Sequence, residues 1–372
     1  MKVTNIITTL EDGGAEANLF KLIVSTRNKF DHSVISLMDI GKYGNYISKL
    51  NIKVTCLNMP RGNLTIQGII KLYKELKKNK PEIVQTWLYH SDLIGGVIAK
   101  YLGIKKIYWN VRTSEYYTKD ISLIAKLIIR TNAFLSHFIP NKIVNCSKRS
   151  ISIHKKLGYA DKFVLINNGY DTNIFKPNKS KKNYYKKKFN IKEGTFVLGY
   201  VSRYDPIKNH ILYLESLKIV YNKYKNIKCF FIGKDINNNN LLLKKIKQLS
   251  LTDIVKLYDQ EKKINELMNL FDLHLLTSKG EGFPNVIAET MAVGIPNIST
   301  DVGDARIILG NKKHLVKDDK NLISKKIIEI INLKNSYPKK WIKLKNDSRE
   351  RIENNFSLDL MVQKYCDLWL NS

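Results

Sequence analysis

Short apolar runs rich in β-branched and aromatic residues alternate with longer stretches of helical spacing along nearly the whole chain. In the first half the runs are VTNIITT, HSVISL, IKVTCL, EIVQTW, KKIYWNV, KIVNC and FVLIN. Between them, TIQGIIKLYKELKKN and SDLIGGVIAKYLG place apolar residues three and four apart, as a helix with one buried face requires. A polar, Lys-rich segment over residues 176–194 interrupts the pattern and reads as a solvated linker. It then restarts with TFVLGYV, IKCFFIG, IVKLY, DLHLLTS and PNIST. Strand–helix alternation implies parallel sheets covered on both faces, and a restart implies two such domains. The expected fold is therefore α/β, with two doubly wound, Rossmann-like domains over residues 1–170 and 171–355. A terminal helix over 356–372 is expected to pack back on the first domain.

A chain of 372 residues with 44% hydrophobic and 26% charged residues can bury two cores of ordinary size. It lacks an apolar run on the order of 18 residues, so no spanning helix is expected. The start reads as a strand, without the apolar core of a signal peptide. Cys56, Cys146, Cys229 and Cys366 are scattered without metal-ligand spacing, which fits reduced thiols in a cytoplasm.

The net charge of +30 suggests an anionic partner. Of the 63 basic residues 54 are Lys, and the charge divides evenly, +15 in residues 1–170 and +15 in the remainder. Codon bias explains such a spread as readily as a binding face does. A nucleic-acid surface needs a basic stripe interleaved with exposed aromatics. Only KKNYYKKKF approaches one, and no nucleic-acid partner is expected.

Ligands of open α/β sheets lie at the carboxyl ends of strands, so the loops there carry the candidate chemistry. Gly13 and Gly14 follow the first strand and suit a tight turn or an anion at a helix N-terminus. Arg203 and Lys208 flank a βα turn containing Pro206 and could bracket a diphosphate. His90 ends a strand at the mouth of a helix, where it could act in chemistry or simply cap the helix. Arg112 and Glu115 follow the next strand. In KGEGFPNVIAETMAVGIPNISTD, Gly280 and Gly282 permit an unusual turn. Pro284 suits the first turn of a helix whose free N–H groups can hold phosphate. Glu281 and Glu289 are carboxylates in otherwise apolar or turn-forming sequence, suited to the hydroxyls of a sugar and a ribose. No cluster of Asp or His suggests a metal.

The stretch EGFPNVIAETMAVGIPNISTDVGD resembles the E-x7-E signature region of the retaining glycosyltransferases of family 4, or group 1, which have the GT-B fold of two Rossmann-like domains facing across a cleft. TTLEDGGAE, VSRYDPIKNH and INNGYDTNIF resemble further motifs of that family, and VQTWLYHSDLIGGVIAKYLG is similar to members that build bacterial surface polysaccharides. The resemblance implies that Arg203 and Lys208 hold the donor diphosphate and Glu289 the ribose. Glu281, Gly282 and the backbone of Phe283, Pro284, Asn285 and Val286 would hold the donor sugar, with Gly13 and Gly14 near the phosphate. Where many members carry T-x-H, this chain reads N-V-R, so Arg112 takes the place of the usual His, with His90 as a second candidate. It further implies a retaining, metal-independent transfer from a nucleotide-diphosphate sugar, a UDP-sugar by expectation, to a glycan acceptor that is lipid-linked, with no cofactor. The alternatives are a sugar-nucleotide epimerase of the same fold and a basic nucleic-acid-binding protein.

Members of this kind work at the inner face of the cytoplasmic membrane, so a peripheral, anionic-membrane contact is expected. DISLIAKLIIRTNAFLSHFI, residues 120–139, places Ile121, Ile124, Ile128 and Leu135 near one stripe, beside Lys126 and Arg130. That stripe suits a membrane surface or a protein core.

Overall fold

The computed structural model describes residues 1–112 and 122–371. Glu115 and Ile121 fall outside them. The chain divides into two compact units, Met1–Gly169 with Leu358–Ser372, and Tyr170–Ser357.

In the first unit each expected run forms a strand: β1 (Lys2–Ile7), β2 (Asp31–Ser36), β3 (Lys53–Cys56), β4 (Ile83–Trp87), β5 (Lys106–Val111), β6 (Lys142–Asn145) and β7 (Phe163–Leu165). They pair in parallel in the order β3-β2-β1-β4-β5-β6-β7. The crossovers are α1 (Gly14–Thr26), α2 (Gly41–Ser48), α3 (Ile66–Asn79), α4 (Tyr89–Tyr101), α5 (Leu123–Leu135) and α6 (Lys148–Lys156). Alternation along the strands feeds two cores. Ile6, Val84, Ile107 and Trp109 face one, whereas Val3, Ile7, Ile83 and Tyr108 face the other.

The second unit opens with α7 (Lys179–Lys188) and repeats the plan. Its strands are β8 (Phe196–Val201), β9 (Ile227–Ile232), β10 (Val255–Tyr258), β11 (Leu273–Leu276), β12 (Asn297–Thr300) and β13 (Leu315–Val316). They lie in the parallel order β10-β9-β8-β11-β12-β13. The connecting helices are α8 (His210–Lys223), α9 (Asn240–Gln248), α10 (Ile264–Leu267), α11 (Asn285–Ala292) and α12 (Ala305–Leu309). The long α13 (Lys320–Ser336) and α14 (Pro338–Phe356) complete the unit, and α15 (Leu358–Asn371) belongs to the first one.

In both sheets the strand order reverses beside the first strand, between β1 and β4 and between β8 and β11. At such a reversal the crossovers leave to opposite faces and open a crevice at the strands' carboxyl ends. The loops after β1 and β4, and after β8 and β11, are those that carry Gly13, Gly14, His90, Arg203, Lys208 and Glu281.

Two expectations need correction, and one strand went unread. Residues 176–194 are no linker, because α7 lies within them and buries Tyr185, whose ring stacks on Phe189 at 6.1 Å. Its apolar stripe is two aromatics four residues apart, too narrow to read among lysines. The two-residue strand β13 is too short to show any alternation. In α5 the expected stripe splits: Ile128 is buried with Ile129, Asn132 and Ala133, while Ile124 is exposed with Leu123, Leu127 and Phe134. Successive isoleucines there serve opposite faces.

Candidate active site

The chemistry of the second unit begins where β8 stops. Asp205 caps a single 3₁₀ turn, Pro206–Lys208, by accepting a hydrogen bond from Ile207 N at 3.0 Å. Its other oxygen accepts from Arg203 Nη2 at 2.7 Å. Burial opposes ionisation of Asp205, but the Arg203 and Ile207 hydrogen bonds outweigh it and hold the carboxyl below its ordinary range. Arg203 itself is 65% exposed. The Lys208 carbonyl is fastened by the hydroxyls of Tyr200, at the end of β8, and Thr277, just after β11. Asn209 then takes a left-handed φ of 54°, and α8 starts.

That fastening aims Lys208 at the neighbouring loop. Its Nζ lies 2.6 Å from Glu281 Oε1, which also accepts from Ser278 Oγ at 2.7 Å. The pair is largely shielded, with the two side chains 20% and 13% exposed. Removing one partner from such a pair leaves a charge poorly solvated, so cation and carboxylate act as one unit.

The Glu281 loop is wedged between two turns. On one side Lys279 N donates to Ile207 O at 2.7 Å, and a Cβ on Gly280 would stand 3.0 Å from the Ile207 side chain. On the other, Gly303 has a φ of +51°, and a Cβ there would collide with Gly282 O at 2.4 Å. Asp304 N donates to that same Gly282 oxygen at 3.0 Å. Gly303 went unnoticed in the sequence, where the only signal is a glycine between aspartates.

Pro284 occupies the position before α11 rather than its first turn, and the helix starts at Asn285. No side chain caps this N-terminus. Its early N–H groups and the positive end of the helix dipole are suited to an anion. Phe283 is buried and packs on Phe356, and Asn285 Oδ1 accepts from Tyr170 OH at 2.6 Å. Val286 and Glu289 are half-buried, and Glu289 lies between buried Ala288 and Thr290.

Gly13, Gly14, His90 and Arg112 belong to the first unit, at the carboxyl ends of β1, β4 and β5, which are adjacent in its sheet. Gly13 precedes α1, and a Cβ there would stand 2.2 Å from Glu16 Oε2. Glu16 folds back onto the backbone of its own helix start and is almost wholly buried. Burial raises its pKa, against the backbone hydrogen bonds and the charge of Arg112. The glycine therefore makes room for a carboxylate of the chain itself. His90 lies in the first turn of α4, half-buried, and burial lowers its pKa. It does not cap that helix, which has no side-chain cap. Arg112 is held by Asn110, Asn168 and Tyr365 over the ring of Trp87. Among the described residues no group of three or more His, Cys, Asp or Glu is placed to hold a metal ion.

Residues 181–349, which include the Lys208–Glu281 loops and α11, match the family model for glycosyl transferases group 1. That stretch of the chain is similar to the group 1 glycosyl transferases. The chain is 24% identical over 320 residues to UDP-Gal:alpha-D-GlcNAc-diphosphoundecaprenol alpha-1,3-galactosyltransferase of Escherichia coli, covering 82% of this chain and 79% of that one. It is also 24% identical to the capsular polysaccharide biosynthesis glycosyltransferase CapM of Staphylococcus aureus, covering 80% and 79%. Among solved structures, Anabaena HepE in complex with UDP superposes with a TM-score of 0.85 over 99% of both chains at 19% identity. The same protein has been solved with UDP-glucose.

The chain has the expected GT-B fold, with one parallel sheet in each unit. Of its expected site residues, the structure brings Lys208 and Glu281 into direct contact and turns Arg203 towards Asp205. Sequence reading missed Ser278, Gly303, Glu16, Asn168 and Tyr365, all of which fasten an expected residue or its backbone. Short polar or small residues of this kind carry no periodic signal.

Proposed function

We propose that the protein is a group 1 glycosyltransferase that moves a sugar from a UDP-sugar to a lipid-linked glycan in bacterial surface-polysaccharide synthesis, with retention of configuration and without a metal ion. The observation that carries the reading is the shielded Lys208–Glu281–Ser278 unit beside the uncapped start of α11. Lys208, Arg203 and the early α11 amides would hold the diphosphate, Glu289 the ribose hydroxyls, and Glu281 with residues 282–286 the sugar. Charge develops on the diphosphate as the C1–O bond breaks, and fixed cations and a helix dipole can stabilise it there. The acceptor oxygen would attack on the same face and pass its proton to the departing phosphate oxygen.

Arg112 has the place that a His fills in many family members. A guanidinium stays protonated, so it can donate hydrogen bonds and charge but cannot act as a base. Its proposed part is to orient or stabilise rather than to take a proton, and His90 is the only one of the two able to exchange one near neutral pH. The UDP donor and the lipid-linked acceptor are supported by the named specificity of the E. coli relative and by HepE's UDP complex.

Among the described residues no helix is long and apolar enough to cross a membrane. We place the enzyme peripherally on the inner face of the cytoplasmic membrane, with α5 as the contact. Leu123, Ile124, Leu127 and Phe134 are exposed on that helix, Phe138 follows it, and Arg130 lies among them. A panel of UDP-sugars with a polyprenyl-diphosphate-linked GlcNAc acceptor, with and without EDTA, tests the reading by product mass and anomeric NMR. An α-linked product from an α-linked UDP-sugar, formed equally in EDTA, is expected. Inversion or strict Mn²⁺ dependence would overturn the mechanism, and no transfer from any UDP-sugar would overturn the donor.

A further inference from the structure

Arginine side chains are usually mobile, and a fork that must meet a reacting group has to be held. Arg112 is held by groups far apart in sequence. Its Nε donates to Asn110 Oδ1 at 3.1 Å, Nη1 to Asn168 Oδ1 at 2.5 Å, and Nη2 to Tyr365 OH at 2.9 Å. The guanidinium carbon lies 4.8 Å from the centre of the Trp87 ring, within cation–π range.

Tyr365 connects these contacts. Its hydroxyl oxygen also accepts from Asn110 Nδ2 at 2.8 Å, so one oxygen fixes both the arginine and one of the other groups that hold it. Its ring is fully buried and stacks on Trp87 at 6.1 Å with the planes 24° apart. The helix that carries it is itself fastened to the sheet. Tyr108 OH donates to Leu368 O at 3.3 Å, Lys106 Nζ to Trp369 O at 2.9 Å, and Trp369 Nε1 to Gln85 Oε1 at 3.3 Å. A cation on the last carbonyls of a helix also complements its dipole. The chain thus sends its final helix onto the first unit and spends one of its side chains on the fork of a single arginine.

We infer that Tyr365 is a positioning residue for the transfer, acting only through Arg112, and that α15 thereby takes part in the reaction as well as in the fold. The inference rests on the proposed role of Arg112. Three of the five guanidinium N–H groups are used by the clamp, and two remain for a substrate oxygen. Without the phenol oxygen the planar fork can shift by rotation about its alkyl and Cδ–Nε bonds and lose that aim.

The test compares wild type, Tyr365→Phe, Arg112→Ala and the double variant for kcat, donor KM, UDP affinity and Tm. Tyr365→Phe keeps the stacked ring and removes only the acceptor. It is expected to lower kcat about 10-fold, as for a misplaced catalytic group, with UDP affinity unchanged. In the Arg112→Ala background it should have no further effect on kcat. Asn168→Ala, which loosens the same fork from outside α15, should behave alike, and it keeps the clamp testable if Tyr365→Phe does not fold. An equal loss from Tyr365→Phe in both backgrounds would make it a structural residue and overturn the inference alone. Full activity of Tyr365→Phe beside an impaired Arg112→Ala would do the same. Full activity of Arg112→Ala would overturn both the inference and the role of Arg112.

Discussion

Lys208 Nζ and Glu281 Oε1 are 2.6 Å apart, although the two residues leave different strands and lie 73 positions apart in sequence. The contact makes one charged unit of a residue expected to hold phosphate and another expected to hold a sugar. Glu281 also keeps the ammonium in place before any donor arrives, so the two cannot act independently.

Glu281→Gln should lower kcat/KM by about 30-fold to 1000-fold, equivalent to roughly 2–4 kcal/mol of transition-state stabilisation. Lys208→Ala should do likewise, and the double variant should lose much less than the product of the two. A double-mutant cycle on kcat/KM measures this. Strict multiplicativity would mean that the contact has no part in transfer.

His90→Ala and Arg112→Ala separate the two candidates of the first unit. Arg112→Ala is expected to lower kcat at every pH by about 100-fold, within the span seen for removal of one stabilising donor. His90→Ala should lower kcat less and alter the acid limb of its pH profile, because burial already pulls that imidazole's pKa down. Full activity in Arg112→Ala with loss in His90→Ala would reverse the roles.

Asp92 is a stability switch of a different kind. It is fully buried in the first turn of α4, and burial pushes its carboxyl up to about 7, only partly offset by Thr86 Oγ1 at 2.5 Å and the backbone of Asn110. Unfolded, it would ionise near 3.9. Between those values the folded chain keeps a proton that the unfolded chain has lost, so the contribution of Asp92 to stability falls as pH rises through that window. Relative to Asp92→Asn, wild type should lose on the order of 4 kcal/mol between pH 4 and pH 8. Denaturant unfolding of both proteins across that range measures the gap, and a constant gap would contradict the assignment.

Leu127→Ser with Phe134→Ser should leave Tm and turnover of a water-soluble acceptor unchanged, since both side chains are exposed. Co-sedimentation with anionic vesicles should drop at least several-fold, and wild-type binding should be salt-reversible. Equal binding by variant and wild type would remove α5 as the contact.

The strands other than β13, and the two-domain α/β plan, follow from patterns legible in the sequence, because a buried parallel strand must be written as a β-branched or aromatic run. The site was legible residue by residue but not as geometry. Lys208 and Glu281 each stand out in their own loop, yet nothing linear shows that they touch. Gly13 reads as a phosphate turn, whereas the structure gives its space to Glu16. Tyr365 reads as one aromatic in an amphipathic helix, and only the return of α15 onto β5 explains its hydroxyl. Side chains that serve other side chains leave no period behind them.

The most direct measurement is titration calorimetry of UDP alone, in EDTA, against wild type, Arg203→Ala, Lys208→Ala and Glu289→Ala. Wild type should bind, and each variant should bind at least about 10-fold more weakly, a loss of roughly 1.4 kcal/mol for each cation or ribose contact. Undiminished UDP affinity in all three would contradict the donor site in the loops after β8 and β11.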